Sequence, residues 1–201
     1  KRVFLTFDDG PSPVTSKILD ILKQENVKAT FFILGSNVDS RKDVVKRMYE
    51  EGHYLANHGY SHTYSKIYSS PQSVLDEYNE CNDKVKNAIE VPDYNSHLFR
   101  FPGGLAGGKY AEIKKEAKEL LLQNNIVNVD WNALTGDAET NNLSVEFEMT
   151  RLTETMESKN SLVILMHDAA AKSVTADALP QIIAKLKEEG YEFKNFYDII
   201  K

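Results

Sequence analysis

Cysteine is almost absent. The chain has one, Cys81, so no intramolecular disulfide can form and the core alone must hold the fold. Cys81 falls in a helix expected over Ser73 to Ile89, where packing is its expected role. No run of apolar residues approaches the length needed to cross a bilayer. A basic excess is also missing: 24 Lys and Arg stand against 30 Asp and Glu, a net charge of -6. That balance excludes the basic footprint of a nucleic-acid binder. It also excludes docking to an anionic polymer by bulk charge, so a polymeric ligand must be held by shape and hydrogen bonds. Internal repeats, low-complexity tracts and linkers are lacking. The glycine pairs Gly103-Gly104 and Gly107-Gly108 are not followed by Gly-Lys-Ser/Thr, which rules out a phosphate loop. No signal peptide is recognisable, and the chain opens directly on an apolar strand at Arg2-Val3-Phe4-Leu5. We therefore expect a domain trimmed from a longer protein.

What is present is an ordinary soluble composition, 41% hydrophobic and 27% charged, over 201 residues, enough for one domain spanning residues 1–201 and its core. Short apolar runs alternate with amphipathic ones. Strands are expected at Val3 to Phe7, Ala29 to Leu34, His53 to Asn57, Leu98 to Phe101, Ile126 to Asp130, Ser161 to Met166 and Tyr191 to Lys194. Helices fall between them. Ser12-Pro13 caps one that runs to about Glu25. A second runs from about Arg41 to Glu51, capped by Ser40 and stopped by Gly52. Others start at Ser70-Pro71 or cover Tyr110 to Gln123, Ser144 to Ser158 and Thr175 to Glu189. This alternation predicts a parallel sheet in an α/β fold, and about seven units predict a closed or nearly closed barrel. An open doubly wound sheet is the structural alternative.

With the strands placed, unusual polar residues gather at their C-terminal ends, the end where a parallel barrel builds its active site. Asp8-Asp9-Gly10 follows the first strand, and His58 and His62 follow the third. Arg100 closes the fourth, Asp130 and Trp131 the fifth, and His167-Asp168 the sixth. Two imidazoles four residues apart can reach one ion. A carboxylate from another strand would complete a catalytic metal site with a position open for water. Asp8-Asp9 offers one: adjacent residues leaving a strand point different ways, so one can ligate while its neighbour faces the water. A turn is the competing explanation for Asp-Gly-Pro. A pair of buried acids without a cation would be costly, however.

Taken together, Thr6-Phe7-Asp8-Asp9-Gly10-Pro11, His58-Gly59-Tyr60-Ser61-His62, Arg100-Phe101-Pro102-Gly103, Asp130-Trp131 and Leu165-Met166-His167-Asp168 resemble the ordered signatures of the polysaccharide deacetylases, carbohydrate esterase family four. The resemblance covers almost the whole chain and implies a distorted (β/α)7, TIM-like barrel. It implies that Asp9, His58 and His62 bind a divalent ion, zinc being expected and cobalt, nickel or manganese compatible. Asp8 is then the general base, Arg100 its orienting partner, and His167 the acid, held in its charged form by Asp130. Gly103 supplies a backbone N–H to the oxyanion, and Trp131 and Leu165 wall the acetyl methyl. The implied activity is hydrolysis of N-acetyl groups on peptidoglycan or a chitin-type glycan, releasing acetate outside the cell or at a bacterial surface. An O-deacetylase of the acetylxylan type and a non-catalytic glycan-binding domain are the alternatives.

Two positions depart from the family. Gly59 stands where serine or threonine would brace the metal loop, and Gly103 where tyrosine is common. Outside the signatures, His53 and His97 are expected to be structural or surface residues, and Lys114 to Glu119 a solvated helix face. Tyr60, Tyr64 and Tyr68 can be read as a sugar-stacking ledge or as a cover over the barrel.

Overall fold

The structure is a computed structural model describing residues 1–200. Its elements in chain order are β1 (Arg2–Asp8), α1 (Pro13–Glu25), β2 (Thr30–Ile33), α2 (Gly35–Val38), α3 (Lys42–Glu50) and β3 (Tyr54–Asn57). Then come α4 (Tyr64–Ile67), α5 (Pro71–Ile89), β4 (Leu98–Phe99), α6 (Ala111–Gln123) and β5 (Val127–Asn128). The chain finishes with β6 (Ala133–Leu134), α7 (Val145–Met156), β7 (Ser161–His167), α8 (Ser173–Glu188) and β8 (Glu192–Lys194).

All strand pairings are parallel, in the order β5-β4-β3-β2-β1-β7-β6. The curled sheet does not close between β5 and β6. β8 pairs with the first half of β1, at Arg2 to Phe4, while β2 takes the second half, at Thr6 to Asp8. This is the distorted seven-stranded barrel expected above, changed along one side. The strands expected at Leu98 to Phe101 and Ile126 to Asp130 are each only two residues long, and the two-residue β6 follows them.

Strand alternation explains how the barrel delivers its polar groups. Along β1, Val3, Leu5 and Phe7 join the core beneath α1 and α8, against Ile18, Leu19, Leu22, Leu179, Ile182 and Ile183. The intervening Phe4, Thr6 and Asp8 must therefore point into the barrel. Phe4 packs there with Phe32, Tyr54, Leu98 and Phe196. Phe196, from the turn after β8, stacks on Phe4 at 5.1 Å and fills the end of the barrel opposite the rim. Register then fixes the rim: Asp8 lies level with His167 on one side and Phe32 on the other, and Asn57 level with Ile33 and Phe99.

The expected caps form at α1, where Ser12 Oγ accepts from Val14 N, and at α5, where Ser70 Oγ accepts from Ser73 N. Ser40 does not cap α3. The chain from Gly35 is already turning helically, so Ser40 Oγ donates back to Asn37 O at 3.1 Å. His53 is buried and accepts from Ala29 N through Nδ1; burial holds its pKa down at about 4, in keeping with a structural role.

The placement of the core is testable by urea denaturation. Leu179→Ala removes a fully buried side chain and should cost about 2–5 kcal/mol. Leu122→Ala, at a side chain 55% exposed, should change stability by less than about 0.5 kcal/mol.

Candidate active site at the barrel rim

Three ligand atoms converge at the rim. Asp9 Oδ1 lies 3.5 Å from His58 Nε2 and 3.4 Å from His62 Nε2, and all three donors fall within 4.8 Å of one another. Donors about 2.1 Å from one ion in a tetrahedral arrangement stand about 3.4 Å apart, so the spacing fits. Asp9 Oδ1 is buried and has no hydrogen-bond partner, which is costly unless a cation meets it. The backbone aims it: Asp9 takes a φ of 75°, tolerable for aspartate, and Asn37 Nδ2 donates to its carbonyl at 2.9 Å.

His58 is prepared as a ligand by its tautomer. Its Nδ1 lies 2.7 Å from Arg100 O. A carbonyl can only accept, so Nδ1 carries the proton and Nε2 presents its lone pair. Burial lowers the His58 pKa to about 3, keeping the ring neutral. The close Asp9–His58 approach therefore joins a carboxylate to a neutral imidazole, and with His62 Nε2 it makes a candidate ligand set.

The loop between the histidines is held from below. Gly59 N donates to Asn57 Oδ1 at 2.9 Å. Glu77, buried on α5, accepts from Tyr60 N at 2.8 Å and Ser61 N at 2.6 Å through Oε2, and from Ser61 Oγ at 2.6 Å through Oε1. Gly59 has a φ of 84°, and a Cβ there would stand 3.0 Å from Ile67 Cδ1. Glycine is what this turn accepts. The bracing that a hydroxyl at position 59 was expected to give comes instead from Asn57 and Glu77.

Arg100 is fully buried inside the barrel. Nη1 donates to Asp8 Oδ1 and Thr6 Oγ1, each at 2.8 Å, Nε to Val129 O at 2.9 Å, and Nη2 to Asp130 O at 3.1 Å. Its guanidinium lies 3.9 Å from the Phe32 ring centroid, a cation–π contact. Burial raises the Asp8 pKa against the opposing Arg100 charge. Asp8 is thus a more basic carboxylate than an exposed one, with Oδ2 3.8 Å from His58 Nε2 beside the ligand set.

The expected Asp130–His167 contact is not formed. His167 Nδ1 donates to Asp137 Oδ1 at 2.8 Å, and His167 N donates to Asp137 Oδ2 at 2.7 Å. Thr175 Oγ1 adds a third hydrogen bond to the same carboxylate at 3.0 Å. The reason is topological: β6 runs beside β7 and carries residues 135–137 to the end of β7, whereas Asp130 ends β5 across the open seam. There Asp130 Oδ2 accepts from Leu105 N at 3.1 Å and its carbonyl accepts from Arg100. Burial opposes charge on His167, but the Asp137 hydrogen bond and the charges of Asp137, Asp8 and Asp9 outweigh it and raise its pKa to about 9. Asp137 lies just beyond Ala133-Leu134, a strand too short to register as periodicity.

The remaining expected residues border the same space. Leu165 pairs with Thr6 in register and faces inward as Thr6 does. Trp131 packs over Gly104, with its ring 5.6 Å from Arg100. Gly103 is the third residue of the turn Phe101 to Gly104, closed by Gly104 N donating to Phe101 O at 2.7 Å, and has a φ of 75°. Asp168 locks the loops after β1 and β7 together: its N–H donates to Asp8 O, and its carboxylate accepts from Thr15 Oγ1 at 2.6 Å. A groove of about 420 Å³ runs past Asp9 and His62 between Pro11, Leu34 and Ala169. A wider cleft of about 1070 Å³ lies along α7 and α8 and touches none of these groups.

Comparison with known proteins agrees with this geometry. Residues 1–123 match the polysaccharide deacetylase family. A putative polysaccharide deacetylase of Bacillus subtilis is 38% identical over 96% of this chain and 66% of its own length. A peptidoglycan-N-acetylglucosamine deacetylase of Bacillus cereus is 34% identical over 98% of this chain and 70% of its own length. Against the peptidoglycan-N-acetylglucosamine deacetylase of Listeria monocytogenes, the chain spans only 37% of that protein. Among solved structures, a CE4 esterase of Streptococcus mutans superimposes with a TM-score of 0.89 and 36% identity, over 97% of this chain and 85% of that one.

The bracing of the ligand loop gives a direct expectation. Glu77→Ala leaves two backbone N–H groups without their acceptor and should weaken zinc binding about 10- to 100-fold in a chelator competition. Unchanged affinity would show that the loop holds itself.

Proposed function

The chain belongs to the polysaccharide deacetylase family, and from that premise we propose that it hydrolyses the acetamide of N-acetylglucosamine residues in peptidoglycan. The observation that carries this is the juxtaposition of three separate functions at one rim. These are the ligand set of Asp9, His58 and His62, the Arg100-held carboxylate of Asp8, and the Asp137-held imidazole of His167. The names of the Bacillus cereus and Listeria relatives support peptidoglycan as the polymer. Their wall substrate supports a site of action outside the cell or at its surface. The relative described as a bifunctional xylanase/deacetylase, 33% identical, keeps acetylated xylan as a second candidate substrate.

Family membership brings divalent-metal dependence. Two imidazoles and one carboxylate suit zinc best, and cobalt, nickel and manganese are compatible with the same donors. Asp9, His58 and His62 would hold the ion, which would supply Lewis acidity toward a water and the acetyl oxygen. Asp8, kept close by Arg100 and made more basic by burial, removes the proton of that water as its oxygen bonds to the carbonyl carbon. The Gly103 N–H donates to the oxygen that gains charge. His167, carrying its proton because Asp137 stabilises the imidazolium, gives that proton to the nitrogen as the C–N bond breaks. The products are acetate and a free amine. Arg100 has no step of its own, and Trp131 and Leu165 border the space left for the methyl group.

Metal-stripped protein, given an N-acetylglucosamine pentamer, peptidoglycan or acetylated xylan with and without zinc, should release acetate only with the metal and fastest from the N-acetylated glycans. Preference for xylan would move the assignment to ester hydrolysis. Asp8→Asn should keep the fold and lose about 10²- to 10⁴-fold in turnover. A near-normal rate would end the mechanism.

The pH dependence follows from His167. Its folded pKa is raised, so the protonated pair with Asp137 is fully present below about pH 6.5 and is lost as pH rises through about 9. The alkaline limb of kcat/KM should therefore fall near pH 9. Asp137→Asn should shift that limb toward the ordinary histidine value of about 6.5. A limb unmoved by Asp137→Asn would show that another group is the acid.

A further inference from the structure

At Gly103 the space a side chain would enter is already taken. A Cβ built on Gly103 would stand 2.5 Å from Tyr64 Oη and 3.3 Å from Tyr64 Cζ, inside contact distance. Tyr64 comes from a different loop, two residues after the ligand His62, at the first position of α4. Its ring meets the His62 ring at 5.6 Å with an interplanar angle of 62°, and the Tyr68 ring at 5.6 Å and 73°. Tyr68 is itself fixed, since its hydroxyl donates to Pro102 O at 2.7 Å, in the same turn that carries Gly103. Tyr64 is thus pinned between a ligand histidine and the 102–103 turn, yet 40% of it remains exposed.

Two donors at this place lack partners within the protein. Among the described residues, neither the Tyr64 hydroxyl nor the Gly103 N–H makes a hydrogen bond. A tyrosine hydroxyl is a neutral donor near pH 7. Glycine at 103 serves both conditions: it accepts the φ of 75°, and its lack of a Cβ lets the phenol close in beside the backbone.

We propose that Tyr64 is a catalytic residue whose hydroxyl, beside the Gly103 N–H, donates a second hydrogen bond to the acetyl oxygen as it becomes an oxyanion. This rests on the deacetylase assignment of the same rim. No proton changes hands; the phenol keeps its hydrogen and stabilises charge that exists only in the transition state. Such a donor acts on kcat and leaves ground-state binding nearly alone. A sugar-stacking ledge made of the same ring would act on KM.

The test measures kcat and KM for acetate release from an N-acetylglucosamine pentamer by the zinc-loaded protein and its Tyr64→Phe and Tyr64→Ala variants. Zinc affinity and thermal midpoint are read on the same samples. Tyr64→Phe, which removes the hydroxyl alone, should lower kcat about 10²-fold with KM within about threefold. Tyr64→Ala should match that kcat loss and raise KM further, because the ring is gone as well. A Tyr64→Phe variant within twofold of the parent kcat, or a loss confined to KM, overturns the proposal. So does a drop in zinc affinity that accounts for the lost rate, since Tyr64 would then act only by holding His62. If the unmodified protein releases no acetate from any glycan, the deacetylase assignment fails and this proposal falls with it.

Discussion

A guanidinium sealed inside a barrel must be answered on every side, and Arg100 makes that demand here. Its fork reaches Asp8, Thr6 and the carbonyls of Val129 and Asp130, and its flat face lies on Phe32. Breaking a buried pair by removing one partner typically costs about 3–5 kcal/mol, so the arrangement is fixed by the need to avoid an unpaired charge. The backbone of the same residue does further work. Arg100 N bonds to Asn57 O, and Arg100 O fixes the tautomer of His58. One position thus joins the Asp8 carboxylate, the His58 imidazole, the strand before the 58–62 loop and the end of β5.

Around that centre, parts distant in sequence are tied at short range. Asp8 and His167 share a register position, and the Asp168 N–H closes onto the Asp8 carbonyl just beyond it. Glu77 steadies the 58–62 loop from the middle of a helix, and Asp137 steadies His167 from beyond a two-residue strand. Both are buried carboxylates, but they have different partners. Glu77 is met mainly by backbone N–H groups and shapes a loop. Asp137 faces an imidazole and sets its charge. Phe196 packs on Phe4 and Tyr54 at the end of the barrel away from the rim where these groups lie.

Much of this was legible in the sequence for a physical reason. The alternation of buried strands and amphipathic helices gave the barrel, and the polar residues ending those strands marked the rim. The meeting of Asp9, His58 and His62 was expected from the family signatures in which they stand, and the structure brings one donor atom of each within 4.8 Å of the others. Asp137 was not readable, because β6 is two residues long and shows no period. Asp130, at the end of the apolar run Ile126 to Val129, drew the assignment that belongs across the seam, although the strand formed there, β5, is also two residues long. Glu77 was hidden for another reason: an acid on an amphipathic helix reads as a solvated charge until the loop that covers it is in place. Gly59 and Gly103 looked like losses when each signature was read alone. The helix and the neighbouring loop supply what those glycines lack, and that compensation exists only in three dimensions.

The central claim is that the Arg100–Asp8 pair is one unit, and its most direct measurement is a double-mutant cycle by chemical denaturation using Arg100→Met, Asp8→Asn and both together. The pair as described predicts that the single changes are non-additive by about 1–3 kcal/mol, the double variant being more stable than the summed losses imply. Additivity within about 0.5 kcal/mol would contradict it, leaving the base to be held by something other than Arg100.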